Sequence, residues 1–165
     1  MKDDLSSLYA YSEWANARVV SALRALPEGD YTREMGGGWP SLRATFVHLA
    51  SATNAWAKRF TGSDVTKLHT EEELPDLESA VALLAGAEAE LAAFVAGLSQ
   101  EERERTFTWK NLKGEPKTAP FWVVLRHVVN HASYHRGQVS SMVRRLGGKP
   151  LPTDMVLWGI EMQSA

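Results

Sequence analysis

The chain has 165 residues, of which 44% are hydrophobic and 23% charged, a balance typical of one folded globular domain spanning residues 1–165. It contains no cysteine, which excludes disulfides, cysteine-ligated metal centres and a cysteine nucleophile. The formal net charge of -2 argues against nucleic acid as a partner.

Neither a membrane span nor a secretory signal is expected from the sequence. We find no apolar run that approaches the ~20 residues needed to cross a bilayer. The first residues carry acidic side chains where a secretory signal carries basic ones. We therefore expect a cytoplasmic protein without a membrane partner.

Four long helices are predicted, because apolar residues recur every three or four positions over four stretches of the chain. The first stripe runs from Leu5 to Leu26, and Ser12 is its one polar interruption. Asp3 or Asp4 is expected to cap the start of this helix.

The other three helices are bounded by residues that start or stop a helix. The second begins after Ser41, a natural N-cap, and ends at Gly62. The third follows Pro75-Asp76, and the fourth runs from residues 118–120 to Leu146. The fold class predicted from these patterns is all-α.

Three shorter segments complete the predicted fold. Residues 62–75 are polar and, at about 3.3 Å per residue, long enough to cross the length of a bundle, so neighbouring helices need not be antiparallel. Residues 106–117 alternate polar and aromatic side chains and predict a short hairpin before the fourth long helix. Thr153-Asp154 predict the start of a short C-terminal helix.

The placement of the histidines indicates a metal site. His127, His131 and His135 are spaced four residues apart on the fourth long helix, so successive rings lie on one face about 6 Å apart, which suits two imidazoles that bind one ion. The first and last are separated by about 12 Å of helical rise, which excludes all three from one coordination sphere. On a helical wheel, His135 and His131 lie on the side that faces the apolar interior, and His127 lies at the edge of that side.

Two imidazoles in an apolar interior must form hydrogen bonds, share a metal ion or face a water-filled cavity. The alternative to a metal site is therefore a pair of structural histidines that form hydrogen bonds with their neighbours. A third ligand must come from another helix, and His48 is the candidate. It lies off the main apolar stripe of the second helix among small residues, which leave room for another helix or a cavity. A structural role is again the alternative. His69 lies beside acidic residues and is expected to be solvated.

The sequence over residues 130–138, Asn-His-Ala-Ser-Tyr-His-Arg-Gly-Gln, resembles the signature of the DinB family, in the DinB/YfiT-like superfamily of metalloenzymes. Residues 11–16, 41–49 and 152–154 extend this resemblance over essentially the whole chain. The resemblance implies a four-helix bundle with a crossed connection, and frequently a homodimer.

The resemblance also implies an open site for one divalent metal ion. The ligands carried over to this sequence are His48, His131 and His135, the set that the spacing and the helical wheel favour. Related members of the superfamily are metal-dependent transferases or isomerases that use low-molecular-weight thiols such as mycothiol or bacillithiol. The family name implies neither a polymerase nor DNA binding.

Three neutral imidazoles leave at least one coordination position open, which is typical of a catalytic metal site. Our first hypothesis is a transferase in which a small thiol attacks an electrophile, with the sulfur supplied by a cosubstrate because the chain has no cysteine. Zinc or nickel fits three imidazoles best, and iron, manganese or cobalt stay open. The alternatives are a metal-hydroxide hydrolase and a non-catalytic, stress-related metal-binding protein.

Other side chains near the predicted ligands are candidates for supporting them or lining a substrate cavity. These candidates are Asn130, Tyr134, Arg136, Gln138, His127 and Trp39. Each could instead have a structural role, through packing or a hydrogen bond to the backbone. For Arg136 the simpler expectation is a surface salt bridge. Tyr11 and Trp14 are further candidates for the cavity wall, with core packing as the alternative.

Overall fold

The computed structural model describes residues 4–164 of the chain. The two predicted capping side chains, Asp3 and Asp4, lie outside this description. The described residues form six helices and two strands: α1 (Asp4–Arg24), α2 (Leu42–Phe60), α3 (Leu77–Ala96), α4 (Gln100–Glu104), β1 (Thr106–Lys110), β2 (Pro116–Pro120), α5 (Phe121–Arg145) and α6 (Met155–Glu161).

Capping side chains start three of these helices. The Ser41 side chain accepts a hydrogen bond from the backbone N–H three residues later, at 3.0 Å, as predicted for α2. Asp76 and Ser79 cap each other at the start of α3. The short α4 was not predicted because five residues are too few for an apolar stripe, although the pair Ser99 and Glu102 forms a capping box that marks it.

Each of α1 and α2 packs against both α3 and α5. Arg24, the last residue of α1, forms a 2.7 Å salt bridge with Glu78 near the start of α3. Earlier in α1, Asn16 donates a 2.7 Å hydrogen bond to Glu88, further along α3. Helices α1 and α3 are therefore antiparallel.

Helix α2, by contrast, runs in the same direction as α3. Lys58 forms a 2.7 Å salt bridge with Glu90, and Phe60 stacks on Phe94 with ring centroids 5.4 Å apart. Both contacts join the C-terminal part of α2 to the C-terminal part of α3. The chain must therefore return along the length of α2 before α3 begins.

Residues 61–76 make this return. Ser51 on α2 donates a 3.2 Å hydrogen bond to the carbonyl of His69. Arg43, near the start of α2, pairs with Glu71 at 3.6 Å. The prediction that this connection is long enough to cross the helices is confirmed.

The histidine-bearing part of α5 lies between two clusters of buried apolar side chains. One cluster contains Val129 of α5, and β1 closes it because Phe107 stacks on Phe121 with ring centroids 4.7 Å apart. The other contains Val139 of α5 together with the N-terminal half of α2. Strands β1 and β2 pair in antiparallel register, which confirms the predicted hairpin.

The two aromatic candidates for the cavity wall on α1 pack with the core and hold the C-terminal segment. The Tyr11 hydroxyl donates a 2.9 Å hydrogen bond to the carbonyl of Thr153, and the Trp14 indole N–H donates a 2.8 Å bond to Glu161. Helix α6 therefore packs against α1. The predicted short C-terminal helix is present.

One expectation about membranes needs correction. Helix α3 is long and apolar enough to cross a membrane by length and composition, with a mean hydropathy of 1.6, because it is rich in alanine and leucine. Its apolar side packs against α1 and α2, and it carries Glu88 and Glu90 among its less buried positions. Helix α3 therefore packs as one of the long helices of this fold.

Candidate metal centre

Three imidazoles converge between α2 and α5. His48 comes from α2, and His131 and His135 come from successive turns of α5. One ring nitrogen atom of each histidine lies within 4.8 Å of those of the other two. The His48 ring centroid is 4.6 Å from that of His135 and 5.4 Å from that of His131. The structure therefore brings the three predicted ligands together in one cluster.

Small side chains neighbour His48 on α2. Ala44, Ser51, Ala52 and Ala55 lie beside it on the helix, and all four are buried. Ser51 donates a hydrogen bond to the carbonyl of His69, so part of this small-residue surface faces the connection between α2 and α3.

The spacing of the two imidazoles on α5 fits a shared ion. The Nε2 atoms of His131 and His135 are 3.2 Å apart. Two nitrogen ligands of one tetrahedral zinc ion are about 3.3 Å apart, given bonds of 2.0–2.1 Å. The donor set and its spacing therefore fit a divalent ion that prefers nitrogen.

Gln138 orients the imidazole of His135. Its side-chain oxygen lies 2.7 Å from the Nδ1 atom of His135, so Nδ1–H is the donor in this bond. The proton is thereby kept on Nδ1, and the lone pair of Nε2 faces His131. Metal-binding histidines are commonly held by such a hydrogen bond on the other ring nitrogen.

Burial keeps these imidazoles neutral. Desolvation, followed by the charge of His135, lowers the pKa of His48 to about 4. Desolvation and the neighbouring histidines likewise lower the pKa of His131 to about 4. Burial also lowers the pKa of His135, while the bond to Gln138 opposes that change. Neutral rings have the free lone pair that a metal ligand needs.

Acid is therefore expected to destabilise the metal-free protein. The pKa of His131 is 6.5 in its ordinary state and about 4 when folded, so the unfolded chain takes up a proton first as the pH falls. The free energy of unfolding that depends on this neutral ring is fully present above pH 6.5 and decreases as the pH falls towards 4. The total decrease is at most about 3 kcal/mol. Urea unfolding followed by circular dichroism at stepped pH measures it.

The variant for this measurement is His131→Gln. It should flatten the loss of stability between neutral and acidic pH, because glutamine does not titrate in this range. Equal slopes for the wild type and His131→Gln would contradict the prediction.

The three histidines of α5 differ in burial in the order that the helical wheel predicts. His135 is 3% exposed, His131 is half-buried, and His127 is exposed. The His127 ring packs edge-on against Trp56, 5.4 Å away, and its centroid is 5.6 Å from that of His131. His127 therefore stands beside the cluster and not within it.

Of the remaining candidates, Trp39 has the closest contact with the cluster. Its ring centroid lies 4.5 Å from that of His48 and 5.6 Å from that of His135. The Tyr134 ring meets the His135 ring edge-on at 5.2 Å but is 63% exposed. Asn130 is also exposed.

The expectation that Arg136 forms a surface salt bridge is wrong. Its side chain is 1% exposed and donates hydrogen bonds to Ser12 at 3.1 Å, Asn16 at 2.9 Å and Ser133 at 2.6 Å. The guanidinium group therefore binds α1 to α5 on the side of α5 that faces α1. This contact also explains why a serine interrupts the apolar stripe of α1.

Asn16 connects Arg136 to α3, because it accepts a hydrogen bond from Arg136 and donates one to α3. The sequence analysis did not identify Asn16 as an interior residue. Asn16 donates a 2.7 Å hydrogen bond to Glu88. Burial raises the pKa of Glu88 to about 7, and the bond from Asn16 opposes this rise. The only signal in the sequence was the polar pair of Ser12 and Asn16, spaced four residues apart on an otherwise apolar helix face.

Comparison with known proteins identifies the family of the chain. The family model described as the DinB family matches residues 1–163. The chain is also similar to Protein DinB of Bacillus subtilis (strain 168), with 26% identity over 165 residues, covering 96% of this chain and 95% of that protein. The resemblance read from the sequence is confirmed: the chain belongs to the DinB family.

Proposed function

We propose that this protein binds one divalent metal ion per chain through His48, His131 and His135, and that it is a metal-dependent transferase. Its substrates are a low-molecular-weight thiol and an electrophile. The observation that carries the proposal is the convergence of three ring nitrogen atoms within 4.8 Å of one another. Zinc or nickel suits three imidazole ligands best, and iron, manganese and cobalt are compatible with them.

The protein's own contribution is to hold three neutral imidazoles towards one point. Burial lowers the pKa of His48 and of His131 to about 4, well below neutral pH, so both rings stay unprotonated. Gln138 fixes the proton of His135 on Nδ1. Because these groups are arranged before a ligand arrives, little reorganisation is needed when it binds.

The composition bears on the source of the sulfur in the proposed reaction. The chain has no cysteine, so a sulfur nucleophile must be brought by a second molecule. A bound divalent ion would supply the positive charge that lowers the pKa of a thiol and raises its thiolate fraction at neutral pH. Three protein ligands leave room for such a molecule.

The test combines elemental analysis with a thiol screen. Freshly purified protein should contain one divalent ion per chain and should consume 1-chloro-2,4-dinitrobenzene faster than buffer only when a small thiol is supplied. The His131→Ala protein should lose both properties. Turnover with water alone would replace the proposal with a metal-hydroxide hydrolase, and metal binding without turnover would replace it with a non-catalytic metal-binding protein.

We further propose that residues 1–165 form one domain in which α1, α2, α3 and α5 make a four-helix bundle with a crossed connection. The mutual contacts of these helices and the return of residues 61–76 along α2 support this arrangement. We also propose a cytoplasmic homodimer without nucleic-acid or membrane partners. Exposed apolar side chains on α5 and α6, including Trp122 and Val156, support self-association, which sedimentation velocity tests.

A further inference from the structure

The imidazoles of the cluster are not all held in the same way. Nδ1–H of His135 donates a 2.7 Å hydrogen bond to the side-chain oxygen of Gln138. Within residues 4–164, by contrast, no protein group forms a hydrogen bond with the ring of His48. Metal-binding histidines commonly depend on such a bond to fix the orientation of the ring. The orientation of the His48 ring must therefore depend on packing.

The helix that carries His48 gives its ring little support. Side chains three and four positions away lie next to each other on a helix. For His48 these neighbours are Ala44, Thr45, Ser51 and Ala52, none of which is larger than threonine. His48 also borders a surface groove of about 240 Å³, so open space lies beside it. Without a further contact, the ring could rotate away from the other two imidazoles.

Trp39 supplies this further contact. Its ring centroid lies 4.5 Å from that of His48, with 36° between the ring planes. This distance is close to the lower limit of about 4.5 Å for packed aromatic rings, so the contact is tight. The rings of Trp39 and His135 are nearly perpendicular, with centroids 5.6 Å apart. Trp39 also lines the groove beside His48 and a second groove, of about 210 Å³, that Gln138 lines.

The loop that carries Trp39 is closed at its base. The backbone N–H of Met35 donates a 2.7 Å hydrogen bond to the carbonyl of Pro40. The two glycines at positions 36 and 37 have φ angles of 72° and 93°, a region that residues with a Cβ rarely adopt. The turn leads directly into the start of α2. The indole therefore has a defined place relative to the helix that carries His48.

We propose that Trp39 is the positioning residue of His48, whose ring it holds towards His131 and His135 before an ion binds. Packing does for His48 what the hydrogen bond from Gln138 does for His135. Because the ring is already oriented, less conformational freedom is lost when the ion binds, and the affinity is higher. This inference rests on the metal binding that is part of the proposed function.

The first measurement follows how rigidly each imidazole is held, by carbon-13 NMR relaxation of the metal-free full chain. Trp39→Ala should make the His48 ring mobile but leave His135 rigid, because Gln138 still holds His135. Gln138→Leu should have the reverse effect. Trp39→Phe should restore the rigidity of His48, since phenylalanine keeps an aromatic face at this position. Equal rigidity of His48 in the wild type and in Trp39→Ala would overturn the inference.

The second measurement is the affinity for Zn²⁺, by isothermal titration. Trp39→Ala should weaken binding roughly tenfold, the lower end of the loss that is common for a residue supporting a metal ligand, and Trp39→Phe should recover most of it. Trp122→Ala is the matched control, because Trp122 is 49% exposed at the start of α5 and should not affect the affinity.

The outcomes separate this inference from the proposed function. Unchanged affinity in Trp39→Ala, with Zn²⁺ bound by the wild type, would overturn the inference and leave the metal site in place. No binding of Zn²⁺ by the wild type would overturn the proposed function. In that case the NMR measurement, which needs no metal, would still decide whether Trp39 positions His48.

Discussion

Replacing His131 or His135 with alanine is expected to abolish binding of the divalent ion, whereas His127→Ala should weaken it little. The nitrogen atoms of the first two lie 3.2 Å apart and share the cluster with His48. The His127 ring stands beside His131, with centroids 5.6 Å apart, and packs on Trp56. Isothermal titration with Zn²⁺ should show at least a hundredfold loss of affinity for each ligand variant, since removing even a supporting residue commonly costs tenfold to a hundredfold.

The three alanine variants should be compared at the same pH and checked for folding by circular dichroism. Gln138→Leu is a useful intermediate case, because it removes the bond that keeps the proton on Nδ1 of His135 but leaves all three imidazoles. Its zinc affinity should fall roughly tenfold to a hundredfold. Equal losses in the variants of His127, His131 and His135 would show that the ligand set is wrong.

Replacing Arg136 with methionine should destabilise the fold by about 3 kcal/mol. The guanidinium group donates hydrogen bonds to Ser12, Asn16 and Ser133 in an interior from which water is excluded. Methionine fills a similar volume but leaves these polar groups without their donor. The free energy of unfolding in urea, measured at neutral pH, gives the loss.

Arg144→Met is the matched control, since Arg144 lies on the same helix but is exposed, and this variant should change stability by less than about 0.5 kcal/mol. Arg136→Lys should fall between the two, because it keeps the charge but has only one nitrogen donor group. A change for Arg136→Met as small as that for Arg144→Met would contradict the role assigned to the guanidinium group.

The contrast between these two predictions shows where sequence reasoning succeeds. His131 and His135 were identified because a helix has a known period, and that period determines which side chains share a face. His48 was harder to identify, since its distance from the other two depends on how α2 packs on α5. Its small neighbours were the one local signal in the sequence, and the structure shows that they are buried.

Arg136 shows the opposite case. An arginine beside an exposed tyrosine on a helix looks like a surface residue, because buried charges are rare. Its burial depends on Ser12 and Asn16, which lie more than a hundred residues earlier in the chain. No local pattern in α5 records that these partners exist, so the sequence led to the wrong environment.

By itself, the sequence determined the long helices, most of their boundaries, the hairpin and the two histidines of α5 that face inward. Each of these depends on interactions between residues close together in the chain, such as caps, turns and the helical repeat. Only the tertiary structure decided that Trp39 covers His48, that Gln138 faces a groove and that Arg136 is buried. Those contacts join segments far apart in sequence, and their geometry depends on how whole helices pack.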